Sequence, residues 1–261
     1  MLKIRRTKIK QPIPFIKLLP NFITLLGLLV GVSAIRFGLD GRWEKAVYCI
    51  LVAAIIDGVD GRIARMLNAT SPLGAELDSL CDFANFGVIP ACLVYLWSFQ
   101  QYEYKVLSWG SILLFVACMA LRLARFNTSI FHEGPSKKSE NFFTGVPAPC
   151  GALLILNPMI LEFEVSSILG INIRAHTIMI DLYIVIIAFL LTSRLPTVST
   201  KNIKIKHEYL SLAMSVFAIV IINLIVYPWY LLPILSFIYI ISIPVCYFLN
   251  KKLELNISGT R

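Results

Sequence analysis

The stretch 55-IIDGVDGRIARMLNATSPLGAELDSLCDF-83 poses the question that decides the fold. It places four aspartates, Asp57, Asp60, Asp78 and Asp82, in what otherwise reads as membrane-embedded chain. Ionised carboxylates are costly in hydrocarbon, so acids at such depth need a compensating partner and point to function. The breakers Asn68, Thr70, Ser71 and Pro72 divide the stretch into two helices joined by a short turn, which must therefore run antiparallel. In such a hairpin, residues equally far from the turn lie at similar depth. Arg65 then stands opposite Gly74, Asp60 near Asp78, and Asp57 near Asp82. At a rise of about 1.5 Å per residue, Asp57 and Asp82 lie ~12 Å beyond the Arg65/Gly74 level.

Working outward, the composition sets the class. Of 261 residues, 57% are hydrophobic and only 15% charged, and the mean hydropathy is +0.77. Soluble domains are nearer half apolar and a quarter charged, so the reading is an all-α, polytopic integral membrane protein. The net charge of +9 belongs to loop orientation rather than to nucleic-acid binding. Six single cysteines, with no CxxC, read as small buried hydrophobes, and the three histidines lie too far apart for a zinc site.

Each span needs ~20 mainly apolar residues. Eight candidates emerge, at 18–38, 44–66, 74–99, 107–127, 146–164, 177–193, 209–227 and 230–249. An even number puts both termini on one side, and that side receives nineteen of the 24 Lys and Arg residues. The bias makes it the cytoplasmic side, with the acids opening there from a cytoplasmic (inner) membrane. The expected organisation is a six-helix core over 1–195, a basic connector over 196–208, an accessory helix pair over 209–249 and a cytoplasmic tail over 250–261. The basic stretch 3–10, KIRRTKIK, reads as an orientation signal rather than a lipid-binding patch. Gly27 and Gly31 form a GxxxG, a signature of close helix packing. The final helix pair is read as a structural extension without chemistry.

Periodicity sharpens the acids into a site. Asp57, Asp60, Gly61 and Ala64 fall on one helical face, and Gly74, Asp78 and Asp82 on another, followed by Asn85. Turned towards each other, these faces make an oxygen-rich pocket floored by glycine and alanine. Such a cluster calls for divalent cations, and an all-oxygen donor set favours Mg²⁺, Mn²⁺ or Ca²⁺ over zinc. An EF-hand is excluded because Val59 and Gly61 would stand where that loop needs oxygen ligands. Two classes stay open on geometry: a metal-dependent enzyme of phosphoryl transfer, and a cation-coupled transporter. The acids lie near one leaflet and the chain shows no internal repeat, both of which weigh against transport.

The pattern Asp57-x-x-Asp60-Gly61-x-x-Ala64-Arg65, eight residues, then Gly74-x-x-x-Asp78-x-x-x-Asp82 resembles the signature of the CDP-alcohol phosphatidyltransferases, and the similarity spans about residues 15–195. The resemblance implies two divalent cations, Mg²⁺ or Mn²⁺, ligated by Asp57, Asp60 and Asp78 with Asp82 contributing. It implies Asp82 as general base on an acceptor hydroxyl. Gly61, Ala64, Arg65 and Gly74 would line the site of the CDP-lipid. Asn21 and Thr24 in 20-PNFIT-24 would either meet the cytidine or simply cap the first helix. A homodimer is also implied.

Within the family, 77-LDSLCDFANFGVIPA-91, 120-ALRLARFN-127 and 142-FFTGVPAP-149 look most like the phosphatidylserine synthase branch. That resemblance implies CDP-diacylglycerol and L-serine as substrates. The alternatives within the family are glycerol 3-phosphate or an inositol phosphate as acceptor. Arg122 and Arg125, at i and i+3 in the leaflet of the acids, either clamp the acceptor carboxylate or snorkel to lipid phosphates. Asn127 and the 142–149 loop would complete the acceptor pocket.

Overall fold

A computed structural model describes residues 15–100, 102, 104–132, 142–193, 196–198 and 209–258. The basic stretch 3–10, Lys137, Lys138, and Arg194, Lys201, Lys204 and Lys206 of the connector lie outside the described residues. The described chain forms eight helical rods: α1 (Leu19–Leu39), α2 (Trp43–Met66), α3 (Pro72–Phe99), α4 (Lys105–His132), α5 (Ala148–Leu169), α6 (Thr177–Thr192), α7 (Leu210–Val226) and α8 (Pro228–Ser258). All eight expected apolar segments are helical. Four regions, Leu19–Leu39, Pro72–Phe99, Lys105–Thr128 and Pro228–Tyr247, are long and apolar enough to cross a bilayer, with Thr177–Thr192 and Leu210–Val226 as shorter apolar helices. The protein is an all-α, multi-pass membrane protein.

Local chemistry sets the boundaries of the acid-bearing hairpin. After α2 the chain turns at Asn68, whose φ of 49° is left-handed, a conformation that asparagine tolerates. Ser71 then caps α3, its Oγ accepting a hydrogen bond from Gly74 N at 3.0 Å, and Pro72 occupies the first turn, where no N–H is needed. α3 is not uniform: Phe83–Val88 and Tyr95–Phe99 are π-helical. Pro90 offers no N–H to its preceding turn, and the wider π turn at Phe83–Val88 accommodates the lost bond.

In a bilayer the helices gain little from apolar burial, because lipid tails are as apolar as leucine; close backbone approach and polar contacts do the joining. α1 supplies the approach through a stripe of buried small residues, Gly27, Gly31, Ala34 and Gly38. A Cβ on Gly27 would lie 3.1 Å from Ile56 of α2, and one on Gly38 would lie 2.7 Å from Leu93 of α3. The GxxxG therefore serves two partners, since Gly31 faces Asn85 of α3. Phe86, Trp97, Phe115, Leu154, Met159 and Ile184 fill the centre between α3, α4, α5 and α6.

Two polar ties, absent from the sequence reading, lock the far end of the bundle. Asp181 of α6 is buried and accepts hydrogen bonds from Ser108 Oγ (2.7 Å) and Ser111 Oγ (2.6 Å) of α4. Pro158 within α5 cannot donate to the Leu154 carbonyl, and the Tyr183 hydroxyl of α6 does so instead at 2.8 Å. The cysteines are all free thiols, buried or half-buried as expected. The 142–149 region and the connector also meet. Residues Phe142–Thr144 (β1) pair antiparallel with Pro196–Val198 (β2), in the register Phe142 with Val198 and Thr144 with Pro196. The cytoplasm-facing loops of the sequence reading are thus partly a small ribbon, and α8 packs against its β2 strand.

Candidate active site

The antiparallel hairpin delivers the acids as its symmetry requires. Asp57 and Asp60 of α2 and Asp78 of α3 each offer a carboxylate oxygen, all within 4.8 Å of one another. Asp60 is buried, Asp57 half-buried and Asp78 exposed. Asp82 stands beside this triad, within hydrogen-bond reach of Asp57. Its Oδ1 is buried and has no hydrogen-bond partner among the described residues. Two unit charges at 4.8 Å repel by about 3.5 kcal/mol at an effective dielectric of about 20. A triad of carboxylates therefore stays fully ionised only beside positive charge, and otherwise takes up protons. Hard oxygen donors with an orphaned carboxylate oxygen alongside fit Mg²⁺ or Mn²⁺ and do not fit a thiophilic ion.

The third wall comes from α1. Thr24 Oγ1 lies 2.6 Å from Asp60 Oδ2 and 3.0 Å from the Pro20 carbonyl, and the residue is buried. Thr24 is thereby a holder of Asp60, a role that sequence spacing does not reveal because the two residues are 36 apart in the chain. Next to the acids opens a cavity of 180 Å³ whose lining includes Asn21, Thr24, Gly61, Ala64, Arg65, Gly74 and Asp78. All six residues expected around the CDP-lipid thus share one cavity. Ser71, read from the sequence only as a helix breaker, lines it too as the cap of α3, and its position before Pro72 is a recognisable cap signal.

The glycines are explained by space. A Cβ on Gly74 would sit 3.0 Å from Asn21 Oδ1 and 3.2 Å from Ser71 Oγ, closing the gap between α1 and α3. Among the described residues, a Cβ at Gly61 would meet only Arg65 Nη1, at 3.7 Å, so a side chain there would project into the cavity beside the guanidinium. The N-terminus of α3 also opens here, and helix N-termini favour anionic oxygens.

The three acceptor candidates separate. Arg122 is half-buried, donates from Nε to the Val146 carbonyl, and lies within electrostatic reach of Asp82. Arg125 is exposed and donates from Nη1 to the Thr192 carbonyl at 2.8 Å. Asn127 Nδ2 donates to Ser79 Oγ at 2.7 Å, tying α4 to α3. Of these three, Arg122 is the one within electrostatic reach of Asp82; the other two brace the helices around it. Asn85, expected on the stripe of acids, is buried in the π-helical turn one step deeper, against Gly31 of α1.

The geometry matches a known pattern. The family model for CDP-alcohol phosphatidyltransferases covers residues 17–179, more than half of the chain. The chain belongs to the CDP-alcohol phosphatidyltransferase family. A second model, CDP-alcohol phosphatidyltransferase 2, matches residues 208–244, so the accessory pair also has counterparts among CDP-alcohol phosphatidyltransferases. The chain is 31% identical to a CDP-diacylglycerol–serine O-phosphatidyltransferase of Mycobacterium leprae, over 88% of this chain and 74% of that protein. It is 30% identical to the protein of the same name from Helicobacter pylori, over 74% of this chain and 77% of that one. With the Saccharomyces cerevisiae protein of that name it shares 36% identity, over 52% of this chain and 51% of the relative.

Proposed function

We propose that this CDP-alcohol phosphatidyltransferase transfers the phosphatidyl group of CDP-diacylglycerol to L-serine, giving phosphatidylserine and CMP. The observation that carries the reading is the triad Asp57, Asp60 and Asp78 beside a cavity lined by the remaining signature residues. The names of the relatives support serine as acceptor.

The diphosphate of the donor lies in the cavity between Asn21, Gly61, Arg65 and Gly74, with Arg65 against its negative charge. Asp57, Asp60 and Asp78 would hold the divalent cations, with Asp82 contributing through its unpartnered oxygen. Bound there, Mg²⁺ or Mn²⁺ supplies charge stabilisation for the diphosphate and for the departing CMP. Asp82 takes the proton of the acceptor hydroxyl as its oxygen forms an ester bond to the lipid-side phosphorus. The bond from that phosphorus to the bridging oxygen breaks, and CMP leaves with the bonding pair. Arg122, tethered by Val146 and facing Asp82, receives the serine carboxylate, while Arg125 and Asn127 hold the pocket wall.

In the cell the reading places a homodimer in the cytoplasmic membrane, with eight spans and both termini and the site on the cytoplasmic side. The core runs to residue 195, the connector over 196–208, the accessory pair over 209–249 and the tail beyond. The test is CMP release from CDP-diacylglycerol by purified protein with Mn²⁺ or Mg²⁺ and a panel of serine, glycerol 3-phosphate, inositol phosphate and water. Metal-dependent release with serine, lost in Asp82→Asn, is the expected result. Release with a different acceptor overturns the serine assignment, and no release from folded protein overturns the whole reading.

A further inference from the structure

At the end of the bundle away from the acids, α5 and α8 pack with a cleft of 280 Å³ between them. α5 lines it with Leu161, Glu164 and Ile168, spaced by three and four residues. α8 lines it with two adjacent stripes, Trp229, Pro233 and Phe237 on one and Tyr230 and Ile234 on the other. The outer edge is apolar and exposed at Ile168, Ile234 and Phe237. The depth is fixed by Tyr48 of α2, whose ring lies 4.7 Å from that of Trp229 and which precedes Asp57 by about 14 Å of helix at about 1.5 Å per residue. Tyr227 and Tyr230 gather at the same level, their rings 6.3 Å apart, and such a collection of Trp and Tyr marks the headgroup depth of a bilayer.

The polar groups of the cleft are acceptors. Glu164 brings a half-buried carboxylate into an otherwise apolar groove, where an ionisable side chain is costly unless it meets a partner or a ligand. The Tyr230 hydroxyl lies within hydrogen-bond reach of that carboxylate, whose two oxygens can accept several bonds at once. Pro233 has no N–H to give the Trp229 carbonyl four residues before it, so that oxygen loses its helical donor on the stripe that lines the cleft. The Trp229 indole is held by the Phe163 ring at 4.9 Å and 78° as well as by Tyr48, and its π system attracts cations. Among the described residues, no lysine, arginine or histidine lines the cleft.

We propose that this cleft binds a phospholipid with a primary ammonium headgroup, the ammonium held by Glu164, Tyr230 and the Trp229 carbonyl and one acyl chain lying along Ile234 and Phe237. An alkylammonium carries three N–H donors, and three oxygen acceptors meet it here, with the Tyr230 hydroxyl donating to Glu164 while it accepts. Phe237 lies about 10 Å further along α8 than Tyr230, the course a chain takes from the headgroup into the bilayer. The volume is near the lower end of small-molecule sites, about 300–1,000 Å³, and suits a headgroup with part of one chain. A quaternary ammonium keeps the charge but has no N–H to give, and an anionic headgroup meets Glu164 with like charge. The accessory pair thereby carries a lipid site of its own, whichever acceptor the acids serve.

The test uses delipidated full-length protein in detergent, titrated with phosphatidylethanolamine, phosphatidylcholine or phosphatidylglycerol of identical acyl chains and read by native mass spectrometry. Wild type is expected to bind one phosphatidylethanolamine about tenfold more tightly than either other lipid, the scale of one hydrogen bond to a charged group. Glu164→Gln keeps the shape and removes the charge, and should bring the three affinities within about twofold, with its lipid-free melting temperature showing that it folds. Ile234→Trp leaves the ammonium site intact and fills the apolar limb, and should weaken phosphatidylethanolamine about tenfold. Equal affinity of wild type for the three lipids overturns the inference, as does a preference unchanged in Glu164→Gln or binding unchanged in Ile234→Trp. A lipid-free dimer that Ile234→Trp dissociates also overturns it, and gives the cleft to a second copy of the chain.

Discussion

Thr24→Val is the substitution on which the geometry makes its sharpest statement. Valine keeps the shape of threonine and removes only the hydroxyl that lies 2.6 Å from Asp60 Oδ2. Thr24 is only 7% exposed, so no water readily replaces the lost donor. A hydrogen bond to a charged group contributes about 1.5–3 kcal/mol, and a group that orients a metal ligand typically changes metal affinity by about 10–100-fold. The two figures agree, since about 1.4 kcal/mol corresponds to a factor of ten. Thr24→Val should therefore raise the Mn²⁺ concentration for half-maximal CMP release by at least about tenfold, with maximal rate at saturating metal much less affected. The KM for CDP-diacylglycerol, measured at saturating Mn²⁺, should stay close to wild type, and Thr24→Ser should restore the metal response. The alternative role for Thr24, contact with the cytidine, makes the opposite forecast. A raised KM for the CDP-lipid with an unchanged Mn²⁺ response would refute the argument that Thr24 acts through Asp60.

Two further outcomes test the packing that positions the site. Gly31→Ala places a Cβ 2.1 Å from Asn85 Oδ1 and 2.8 Å from its Cγ, so α1 and α3 must separate or the amide must leave. Overpacking of this kind costs about 1–3 kcal/mol; the melting temperature should fall, and Asn85→Ala added to Gly31→Ala should recover part of the loss, a coupling that strictly additive effects would disprove. Tyr183→Phe leaves the Leu154 carbonyl without the donor that replaces the missing Pro158 N–H. A loss of about 1–3 kcal/mol should appear as a lower melting temperature with unchanged CMP release per folded molecule, and an unaltered melting temperature would show that the carbonyl finds another donor.

The hairpin of acids is legible from the chain because every instruction for it is local. Helical spacing puts Asp57 and Asp60 on one face and Asp78 and Asp82 on the other, and Asn68, Ser71 and Pro72 fix a short turn that sets them at equal depth. The eight apolar segments are legible for the same reason, since a bilayer demands a run of fixed length. The tertiary structure decides what happens between distant segments. It makes Thr24 a holder of Asp60, and assigns Arg122 to Asp82 while Arg125 and Asn127 brace other helices. It ties Asp181 to serines more than 65 positions away, and pairs the segment before Val146, whose carbonyl accepts from Arg122, with a strand of the connector. Asn85, one step deeper than Asp82, lies within a π-helical turn and meets Gly31 of α1, a contact that helical spacing alone does not specify. Periodicity reports which face a residue occupies; only packed helices determine which neighbour that face will meet.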